Sequence, residues 1–200
     1  MGIRDIGMSI RPLVRIGQFA VTGEWYPKRW PMLAASIEQV PHDFFVDLGC
    51  GAAPLLEYLK PTRYAGVDGD ASEILRARER YERPGYEFLK DDLTTVPLEP
   101  WRGADVVGVS SVTHHLPDDV VRSLFSRVLH DIEPKAIFLQ DATPTGLLGP
   151  VVTFLDAGRH MRTETQLAAL LEPTFVVERL WSYDNPLRSF HQFLFKLTPR

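Results

Sequence analysis

Short apolar runs alternate with segments of helical pattern through the middle of the chain, and this alternation is the strongest constraint on the fold. Each run is four to six residues long and is bounded by turn-forming residues, which is typical of a buried strand. Predicted helices at 55–59, 71–81 and 118–132 connect several of the runs. Such crossovers are what parallel strands require, so the pattern predicts a parallel sheet with helices on both faces. The predicted strands are 44–48, 64–67, 86–89, 104–109 and 136–139.

The C-terminal part of the chain departs from this alternation. Residues 141–162 contain several prolines and glycines and predict a loop-rich insert, which is followed by a helix over 163–171. Two longer apolar runs, 175–181 and 189–197, are separated by Asp184-Asn185-Pro186, a sequence typical of a turn. The predicted fold class is therefore α/β, with a mostly parallel seven-stranded sheet and a C-terminal antiparallel hairpin.

Composition and charge narrow the functional classes. Of the 200 residues, 44% are hydrophobic and 24% are charged, and the formal net charge is -4 at pH 7. No long Lys/Arg run is present, so a nucleic-acid partner is not expected. No apolar stretch approaches the roughly 18 residues of a membrane span, so stable membrane insertion is not expected. Cys50 is the only cysteine, which excludes an internal disulfide and predicts a reducing, cytoplasmic location.

The segment Val46-Asp47-Leu48-Gly49-Cys50-Gly51 ends the first predicted strand and carries the clearest ligand-binding signal. Its two glycines let the backbone turn sharply and approach a ligand closely. A dinucleotide fingerprint would place a third small residue where this chain has Pro54. Asp47 would repel a pyrophosphate but would attract a cationic group such as an amine. The alternative is that Asp47 only braces the turn by bonding to backbone N–H groups.

Acidic residues also follow the second and third predicted strands. Asp68 ends the second strand at a place where an acid can accept hydrogen bonds from ribose hydroxyls. With Gly69 and Asp70 it could equally form a solvated turn. Asp92 and Leu93 follow the third strand, where a carboxylate could accept from an adenine amino group and an apolar side chain could cover the ring. Because parallel strands end at one edge of the sheet, these residues are expected to share a site with the glycine turn.

A polar segment, residues 110–118, follows the fourth predicted strand and is expected to face the reacting centre. It contains His114 and His115. Adjacent histidines rarely share one metal, and no matching set of cysteines or carboxylates accompanies them, so no metal site is predicted. One histidine could act as a general base for a hydroxyl or an amine. The alternative is that one packs beneath the next helix while the other caps it.

At these segments the chain resembles the class I S-adenosylmethionine-dependent methyltransferases, which have a Rossmann-like three-layer sandwich. The resemblance covers residues 44–140 well and 163–197 more loosely. It implies that residues 47–51 hold the methionine part of the cofactor, that Asp68 binds the ribose and that Asp92-Leu93 reads the adenine. The cofactor-binding residues implied are Asp47, Gly49, Cys50, Gly51, Asp68, Gly69, Asp92, Leu93 and Ser110.

The resemblance implies an enzyme that transfers a methyl group in line from S-adenosylmethionine to an unidentified small molecule or lipid precursor. His114 and His115 are the candidate catalytic residues, since a neutral acceptor has to lose a proton. Enzymes that methylate amino groups of nucleic acids carry an Asn/Asp-Pro-Pro-aromatic motif where this chain has Ser110-Ser111-Val112-Thr113. Two alternatives stay open: a methyltransferase-like protein that binds cofactor without transferring methyl, and an NAD-dependent oxidoreductase. The expected partner is a small-molecule substrate, and the oligomeric state stays open.

The chain is predicted to be one domain overall, with an N-terminal helical or lid segment at 1–40 and the methyltransferase domain at 41–200. A helix is predicted at 30–40. Substrate contacts are expected from 1–30 and 141–162, because loops carried on a rigid sheet usually hold specificity. The aromatic residues near the N-terminus could instead pack the first helix onto the sheet. The individual candidates are Trp25, Tyr26 and Trp30 as covers, Arg29 for the cofactor carboxylate, and Arg159 and Arg162 for an anionic substrate group.

Overall fold

Seven strands form one mixed sheet in the part of the chain that the computed structural model describes, residues 28–146 and 159–200. The strands are β1 (Phe44–Leu48), β2 (Arg63–Asp68), β3 (Tyr86–Lys90), β4 (Val106–Ser110), β5 (Ala136–Pro144), β6 (Phe175–Asp184) and β7 (Phe190–Pro199). Their order across the sheet is β3-β2-β1-β4-β5-β7-β6. The first five strands are parallel, and β7 pairs antiparallel with both β5 and β6. The predicted fold class is confirmed, including the C-terminal hairpin.

Four α-helices cover the two faces of the sheet within the described residues. They are α1 (Arg29–Ile37), α2 (Ala71–Tyr81), α3 (Asp118–Arg127) and α4 (Glu164–Leu171). The predicted helix at 55–59 is instead a short 3₁₀ helix, Pro54–Glu57, entered through Ala53 in the left-handed conformation. The predicted helix at 118–132 ends its α-helical part at Arg127 and continues as a π-helical segment, Val128–Ile132. None of the helices in the described ranges combines the length and apolar character needed to cross a bilayer.

Side chains of each strand alternate between two cores, one on each face of the sheet. Val46 and Leu48 of β1 enter the α3–α4 core, which also holds the apolar faces of α3 and α4. Phe45 enters the α1–α2 core, which holds the apolar faces of α1 and α2. The same alternation sends Asp47 to the α1–α2 side, where its carboxylate meets the hydroxyl of Tyr64. The helices therefore lie in two outer layers around the sheet, as predicted.

Strand β5 is longer than its apolar run predicts. The run ends at residue 139, but β5 pairs with β7 without interruption from Ile137 opposite Leu197 to Pro144 opposite Phe190. The prediction of a loop from residue 141 is therefore wrong for residues 141–144, because a neighbouring strand supplies their backbone hydrogen bonds. Residues 147–158 of the predicted insert lie outside the described residues.

Only the last part of the predicted N-terminal segment 1–40 is described, from residue 28 onward. Helix α1 ends at Ile37, earlier than the predicted end at residue 40. Trp30 is partly buried and packs against the α1–α2 core. This contact supports the packing alternative for Trp30, whereas Trp25 and Tyr26 lie outside the described residues.

Candidate active site

A cavity of about 510 Å³ opens where β1, β2, β3 and β4 end. Its volume lies within the range of small-molecule pockets, about 300–1,000 Å³. Its walls come from four loops that are far apart in the sequence but meet at one edge of the parallel sheet. The described residues that line it are Gly49, Asp68, Gly69, Lys90, Asp91, Asp92, Leu93, Ser111, Val112, His115 and Leu116. The structure thus brings six predicted site residues to this cavity: Gly49, Asp68, Gly69, Asp92, Leu93 and His115.

The turn after β1 presents bare backbone to the cavity. Gly49 has a φ of 83° and Gly51 a φ of 53°, a left-handed conformation that glycine adopts without strain. A Cβ atom at Gly49 would collide with the side chain of Val112, whereas Gly51 faces open space. The N–H groups of Gly49 and Cys50 both donate to the carbonyl oxygen of Val67, at 2.8 and 3.0 Å. The turn is therefore fixed against β2 and leaves open space beside Gly51 for a ligand to approach the backbone.

Asp68 ends β2 on the wall of the cavity and ties two turns together. Its Oδ2 accepts from the N–H of Gly51 at 2.8 Å, and its Oδ1 accepts from the N–H of Asp70 at 2.8 Å. A carboxylate has about four acceptor sites, so each oxygen retains capacity for a further donor such as a ribose hydroxyl. The backbone sets the orientation of this carboxylate, and an acid at the predicted ribose position is therefore preorganised.

The loop after β3 supplies Asp92 and Leu93 to the same cavity. Oδ1 of Asp92 accepts from the N–H and from the hydroxyl of Thr94, both at 2.8 Å. These two bonds hold the pKa of Asp92 below its usual value, so the carboxylate is ionised at neutral pH. Leu93 packs against the α3–α4 core while it lines the cavity. The loop thus offers an acceptor and an apolar surface side by side, as adenine recognition needs.

Asp47 is placed differently from the expectation of a carboxylate that faces the ligand. It is 4% exposed, and it is not among the described residues that line the cavity. Its Oδ2 accepts from the hydroxyl of Tyr64 at 2.9 Å. Burial raises the pKa of Asp47 to about 7; the Tyr64 bond lowers it, and the charge of Asp68 raises it further. The carboxyl lies on the α1–α2 side of β1, and its predicted role in attracting a cationic group stays a prediction.

Cys50 and Ser110 also point into the scaffold and not into the cavity. Cys50 is 4% exposed and packs in the α1–α2 core. Ser110 is the last residue of β4, and its buried hydroxyl donates to Oε1 of Gln140 at 2.6 Å. The next residue, Ser111, lines the cavity instead, with a φ of 57°. The side chain of Ser110 still follows the alternation of the strand, and its predicted contact with the cofactor stays a prediction.

A single 3₁₀ turn after β4, Thr113–His115, carries the two histidines. His114 is 5% exposed, and its Nδ1 lies 2.6 Å from Oδ1 of Asp141. The hydroxyl of Thr113 donates to the other oxygen of the same carboxylate. His115 is exposed and lines the cavity, and its ring centroid lies 4.2 Å from that of His114. The structure thus separates the two candidates: His114 pairs with a buried acid, and His115 faces the ligand cavity.

Asp141 is a candidate functional residue that the sequence prediction missed. It is 2% exposed and stands on the extension of β5 beside the histidine turn. The prediction ended the fifth strand at residue 139, so this acid was assigned to a loop. The available signal was an acid placed two residues after an apolar run, at the carboxyl end of a parallel strand.

Arg162, predicted to meet an anionic substrate group, has its guanidinium engaged within the protein. Its five N–H donors bond to the carbonyl oxygens of Thr113, His160 and Leu116 and to the carboxylate of Asp118. The side chain is 9% exposed. Arg162 therefore fastens the residues after the insert to the histidine turn, and this corrects the prediction of an anion-binding group.

Two further candidate residues, Arg29 and Arg159, are not among the described residues that line the cavity. Arg29 lies over the ring of Trp30, with its guanidinium carbon 4.6 Å from the ring centroid. Arg159 is exposed. Across residues 28–146 and 159–200, no three His, Cys, Asp or Glu side chains cluster in a way that would hold a metal ion.

Comparison with known proteins assigns this arrangement to a family. Residues 45–135 match the sequence profile of a family described as "Methyltransferase domain". This part of the chain is similar to a methyltransferase domain. The matched span contains the glycine turn, Asp68, Asp92 and the histidine turn, and it ends just before β5. A search of curated proteins gives no match.

Solved structures share the fold of the methyltransferase domain. The S-adenosylmethionine dependent methyltransferase from Mesorhizobium loti aligns with a TM-score of 0.63 at 20% identity, over 84% of this chain and 97% of that one. The N-methyltransferase NodS from Bradyrhizobium japonicum WM9, in complex with S-adenosyl-L-homocysteine, gives 0.66 at 16% identity, over 86% and 84%. The magnesium protoporphyrin IX methyltransferase ChlM from Synechocystis PCC 6803, with bound SAM, gives 0.60 at 14% identity, over 94% and 82%. At these identities the likeness shows the fold.

The family match confirms the predicted resemblance to class I methyltransferases, the enzyme class and S-adenosylmethionine as the cofactor. The cavity of the methyltransferase domain fits this cofactor on three observations. Bare glycine backbone reaches the cavity at Gly49, an oriented carboxylate stands at Asp68, and Leu93 offers an apolar surface. The roles of the individual residues and the identity of the methyl acceptor stay predictions.

Proposed function

We propose that this protein transfers the methyl group of S-adenosylmethionine to a small molecule that binds beside His115. The observation that carries the proposal is one cavity shared by the glycine turn, Asp68, Leu93 and His115. When bound, the cofactor supplies an electrophilic methyl group on a sulfonium. The protein supplies alignment and a shielded site, which is where most of the rate enhancement of such a displacement arises.

The cavity-lining residues divide by chemistry into groups for the three parts of the cofactor. The glycine turn is suited to the methionine part, because Gly49 lines the cavity and the space beside Gly51 is open. Asp68 is suited to the ribose hydroxyls, which donate to carboxylate oxygens, and adjacent Gly69 leaves that approach open. Asp92-Leu93 is suited to the adenine, which needs an acceptor for its amino group and a surface for its ring.

Buried residues contribute indirectly in this proposal. Asp47, when ionised, adds a negative field close to the turn that would receive the amino group of methionine. Cys50 holds the turn from the core side, and Ser110 holds the start of the next loop through Gln140. His114 and His115 are the candidates for removing a proton from the acceptor.

A small-molecule acceptor is favoured over nucleic acid by charge. The chain has a net charge of -4, and no long basic run lies in its sequence to neutralise phosphates. Among the proteins of similar fold, ChlM is named for magnesium protoporphyrin IX, a small molecule. The fold thus serves such chemistry elsewhere, and the acceptor of this chain is proposed to be a metabolite or a lipid precursor.

Ligand binding tests the cofactor assignment first. Calorimetric titration with S-adenosylhomocysteine and with NADH is expected to show binding of the former only. Asp68→Ala is expected to weaken S-adenosylhomocysteine binding about 10-fold or more, since hydrogen bonds to charged groups contribute about 1.5–3 kcal/mol. Glu79→Gln, which removes an exposed acid on α2, is the matched control and should bind as the wild type does. Preferential binding of NADH would instead support an NAD-dependent oxidoreductase.

Methyl transfer tests the enzymatic part. Wild-type protein, methyl-labelled S-adenosylmethionine and chromatographic fractions of a metabolite extract are incubated together, and label is measured after the cofactor has been removed. At least one fraction is expected to accept label with the wild type and with Glu79→Gln, and much less with Asp68→Ala. A protein that binds S-adenosylhomocysteine but labels no fraction would be a cofactor-binding protein without transferase activity.

A further inference from the structure

Asp141 is a buried acid whose bonds converge on the histidine turn. Its two oxygens accept from the hydroxyl of Thr113 and, at 2.6 Å, from Nδ1 of His114. Oδ1 also accepts from the N–H of Ala142 at 2.8 Å. A carboxylate can only accept, so the bond to His114 places a proton on Nδ1 of that ring. One side chain of β5 therefore fixes two consecutive side chains of the turn.

The backbone of the same turn is held from a second direction. The carbonyl oxygen of His114 accepts from the N–H of His160 at 3.0 Å. Arg162 donates to the carbonyl oxygens of Thr113 and Leu116, which flank the two histidines. The backbone of the turn and the side chains of Thr113 and His114 are thus held in place, and His115 is the residue of the turn that lines the cavity.

We infer that Asp141 is a positioning residue that holds His115 as the proton acceptor of methyl transfer, so that the methyl acceptor reacts through an O–H or N–H group. This inference rests on the proposed function. Asp141 acts through His114, because the ring of His115 lies against the ring that Asp141 orients, with 4.2 Å between centroids. Fixing a general base to within a fraction of an ångström is what such supporting contacts contribute to catalysis.

The step balances with the groups in the cavity. The O–H or N–H proton of the acceptor moves to the imidazole of His115, and the acceptor atom bonds to the methyl carbon. The sulfur keeps the electron pair of the broken S–C bond. Because His115 is exposed, it can then release the proton to solvent. An acceptor that is already anionic would need no such base.

The pH dependence of this step depends on the charged and titratable groups around His114 and His115. The carboxylate of Asp118 and the guanidinium of Arg162 bond to each other beside the turn, so their charges largely compensate. Asp141 lies on the β5 side. The described charged and titratable groups around the histidine pair are Asp141 of β5, Asp118 at the start of α3, His160 and Arg162 after the insert, and the cavity-lining Asp68, Lys90, Asp91 and Asp92.

Four variants test the inference: Asp141→Ala, Asp141→Asn, His114→Asn and His115→Asn, with Glu79→Gln as control. Each is assayed for methyl transfer to the most active extract fraction from pH 5 to 9, for S-adenosylhomocysteine affinity and for secondary structure by circular dichroism. His115→Asn is expected to lower the rate about 100-fold or more and to abolish the fall in rate at acid pH. Asp141→Ala is expected to lower kcat about 10- to 100-fold with the acid limb retained.

Asp141→Asn serves as the rescue variant. Its carbonyl can still accept from His114 while its amide bonds to the hydroxyl of Thr113, so most of kcat should return. S-adenosylhomocysteine affinity should match the wild type in every Asp141 variant. Nitrogen-15 NMR of the complex with S-adenosylhomocysteine should show the proton of neutral His114 on Nδ1, and Asp141→Ala should lose that preference.

Three outcomes would overturn the inference while leaving the proposed function intact. The first is an unchanged kcat in folded Asp141→Ala. The second is loss of the acid limb in His114→Asn with its retention in His115→Asn. The third is an equal loss of kcat and cofactor affinity in both Asp141 variants, which would make Asp141 purely structural. A wild type that binds S-adenosylhomocysteine but labels no fraction would instead refute the proposed function, and the inference with it.

Discussion

At the scale of single residues, the ionisation of Asp47 depends on what surrounds it in the sheet. Its neighbours across the sheet are Gly66 of β2 and Gly108 of β4. A Cβ atom at Gly66 would lie 2.8 Å from the ring of Tyr64 and 2.9 Å from the sulfur of Cys50. The missing side chain thus makes room for the tyrosine that donates to Asp47. Burial in this dry environment raises the pKa of Asp47 to about 7.

This raised pKa makes stability depend on pH. Folding favours the protonated carboxyl of Asp47, so its contribution is fully present below the unfolded value of 3.8 and is lost as the pH rises to about 7. Asp47→Asn stays neutral and can still accept from Tyr64. We expect the free energy of unfolding of this variant, relative to that of the wild type, to increase by up to about 3 kcal/mol between pH 5 and pH 8.

Urea denaturation of the ligand-free proteins at four pH values measures the effect. The difference between Asp47→Asn and the wild type should grow with pH, whereas the difference for Glu79→Gln should stay flat. A difference for Asp47→Asn that does not change with pH would show that the carboxyl titrates normally.

Single residues also show the limit of the sequence prediction at the site. Asp68 and Leu93 could be predicted because Asp68 ends β2 and Leu93 lies in the loop after β3, and the parallel strands end at one edge. The hydrogen bond between Asp47 and Tyr64 could not be predicted, because it depends on the face of the sheet on which each side chain lies. The exchange of Ser110 for Ser111 at the cavity has the same cause, since a shift of one residue reverses the face.

At the scale of elements, the segment after the insert depends on one arginine. Arg162 is buried against the histidine turn, and all five of its donors bond to protein acceptors. Lysine carries only three donors on one atom and cannot reproduce this planar arrangement. We expect Arg162→Lys to lower the free energy of unfolding by about 1–3 kcal/mol, since it removes donors from partly buried carbonyl oxygens and from Asp118.

Chemical denaturation of Arg162→Lys beside Arg122→Lys measures this loss. Arg122 is an exposed residue of α3 with no described hydrogen bond or ion pair, so its replacement should change stability by less than about 0.5 kcal/mol. Equal effects of the two substitutions would contradict the fastening role of Arg162.

A histidine joins α4 to the C-terminal hairpin and makes this contact sensitive to pH. Nδ1 of His191 lies 2.8 Å from Oδ1 of Asp184, and Nε2 lies 3.0 Å from Oε2 of Glu164. Burial lowers the pKa of His191, but the two carboxylates raise it more, so its pKa stands above 6.5. Its contribution to stability is therefore present below pH 6.5 and is lost as the pH rises through the raised value.

We therefore expect His191→Gln to destabilise the protein more at pH 6 than at pH 8.5. Thermal denaturation of both proteins across this range gives the comparison. His130→Gln, which changes an exposed histidine outside this cluster, should show no such trend. A penalty for His191→Gln that grows with pH would mean that the folded state prefers the neutral imidazole.

Helix and strand bounds could be predicted only where local signals decide them. One such signal is the capping box at the start of α4, where Thr163 and Gln166 bond to each other's backbone N–H groups. Asp70 likewise caps α2, since its Oδ1 accepts from the N–H of Ser72 at 2.7 Å. The extension of β5 escaped prediction because its pairing partner, β7, lies far along the chain.

At the scale of the whole molecule, the order of the strands was the least predictable feature. The alternating pattern predicts parallel strands and a hairpin but does not say which hairpin strand joins the sheet. The structure places β7 between β5 and β6. Residues 192–195 of β7 are all buried, whereas Phe175 is the only buried residue of β6. A continuous apolar run is typical of an inner strand, and this asymmetry was the available signal.

The inner position of β7 predicts that the hairpin unfolds together with the rest of the sheet. Phe195 is fully buried in β7 within the α3–α4 core, and its ring centroid lies 5.2 Å from that of Phe193. Phe195→Ala should cost about 3–5 kcal/mol, in one transition seen alike by circular dichroism and tryptophan fluorescence. Val176→Ala, on the exposed edge strand, should cost about 0.5 kcal/mol or less.

Separate unfolding transitions in the two signals would show that the hairpin is an independent unit. Coincident transitions would show that the stability of the site depends on β7, since the extension of β5 that carries Asp141 pairs with β7.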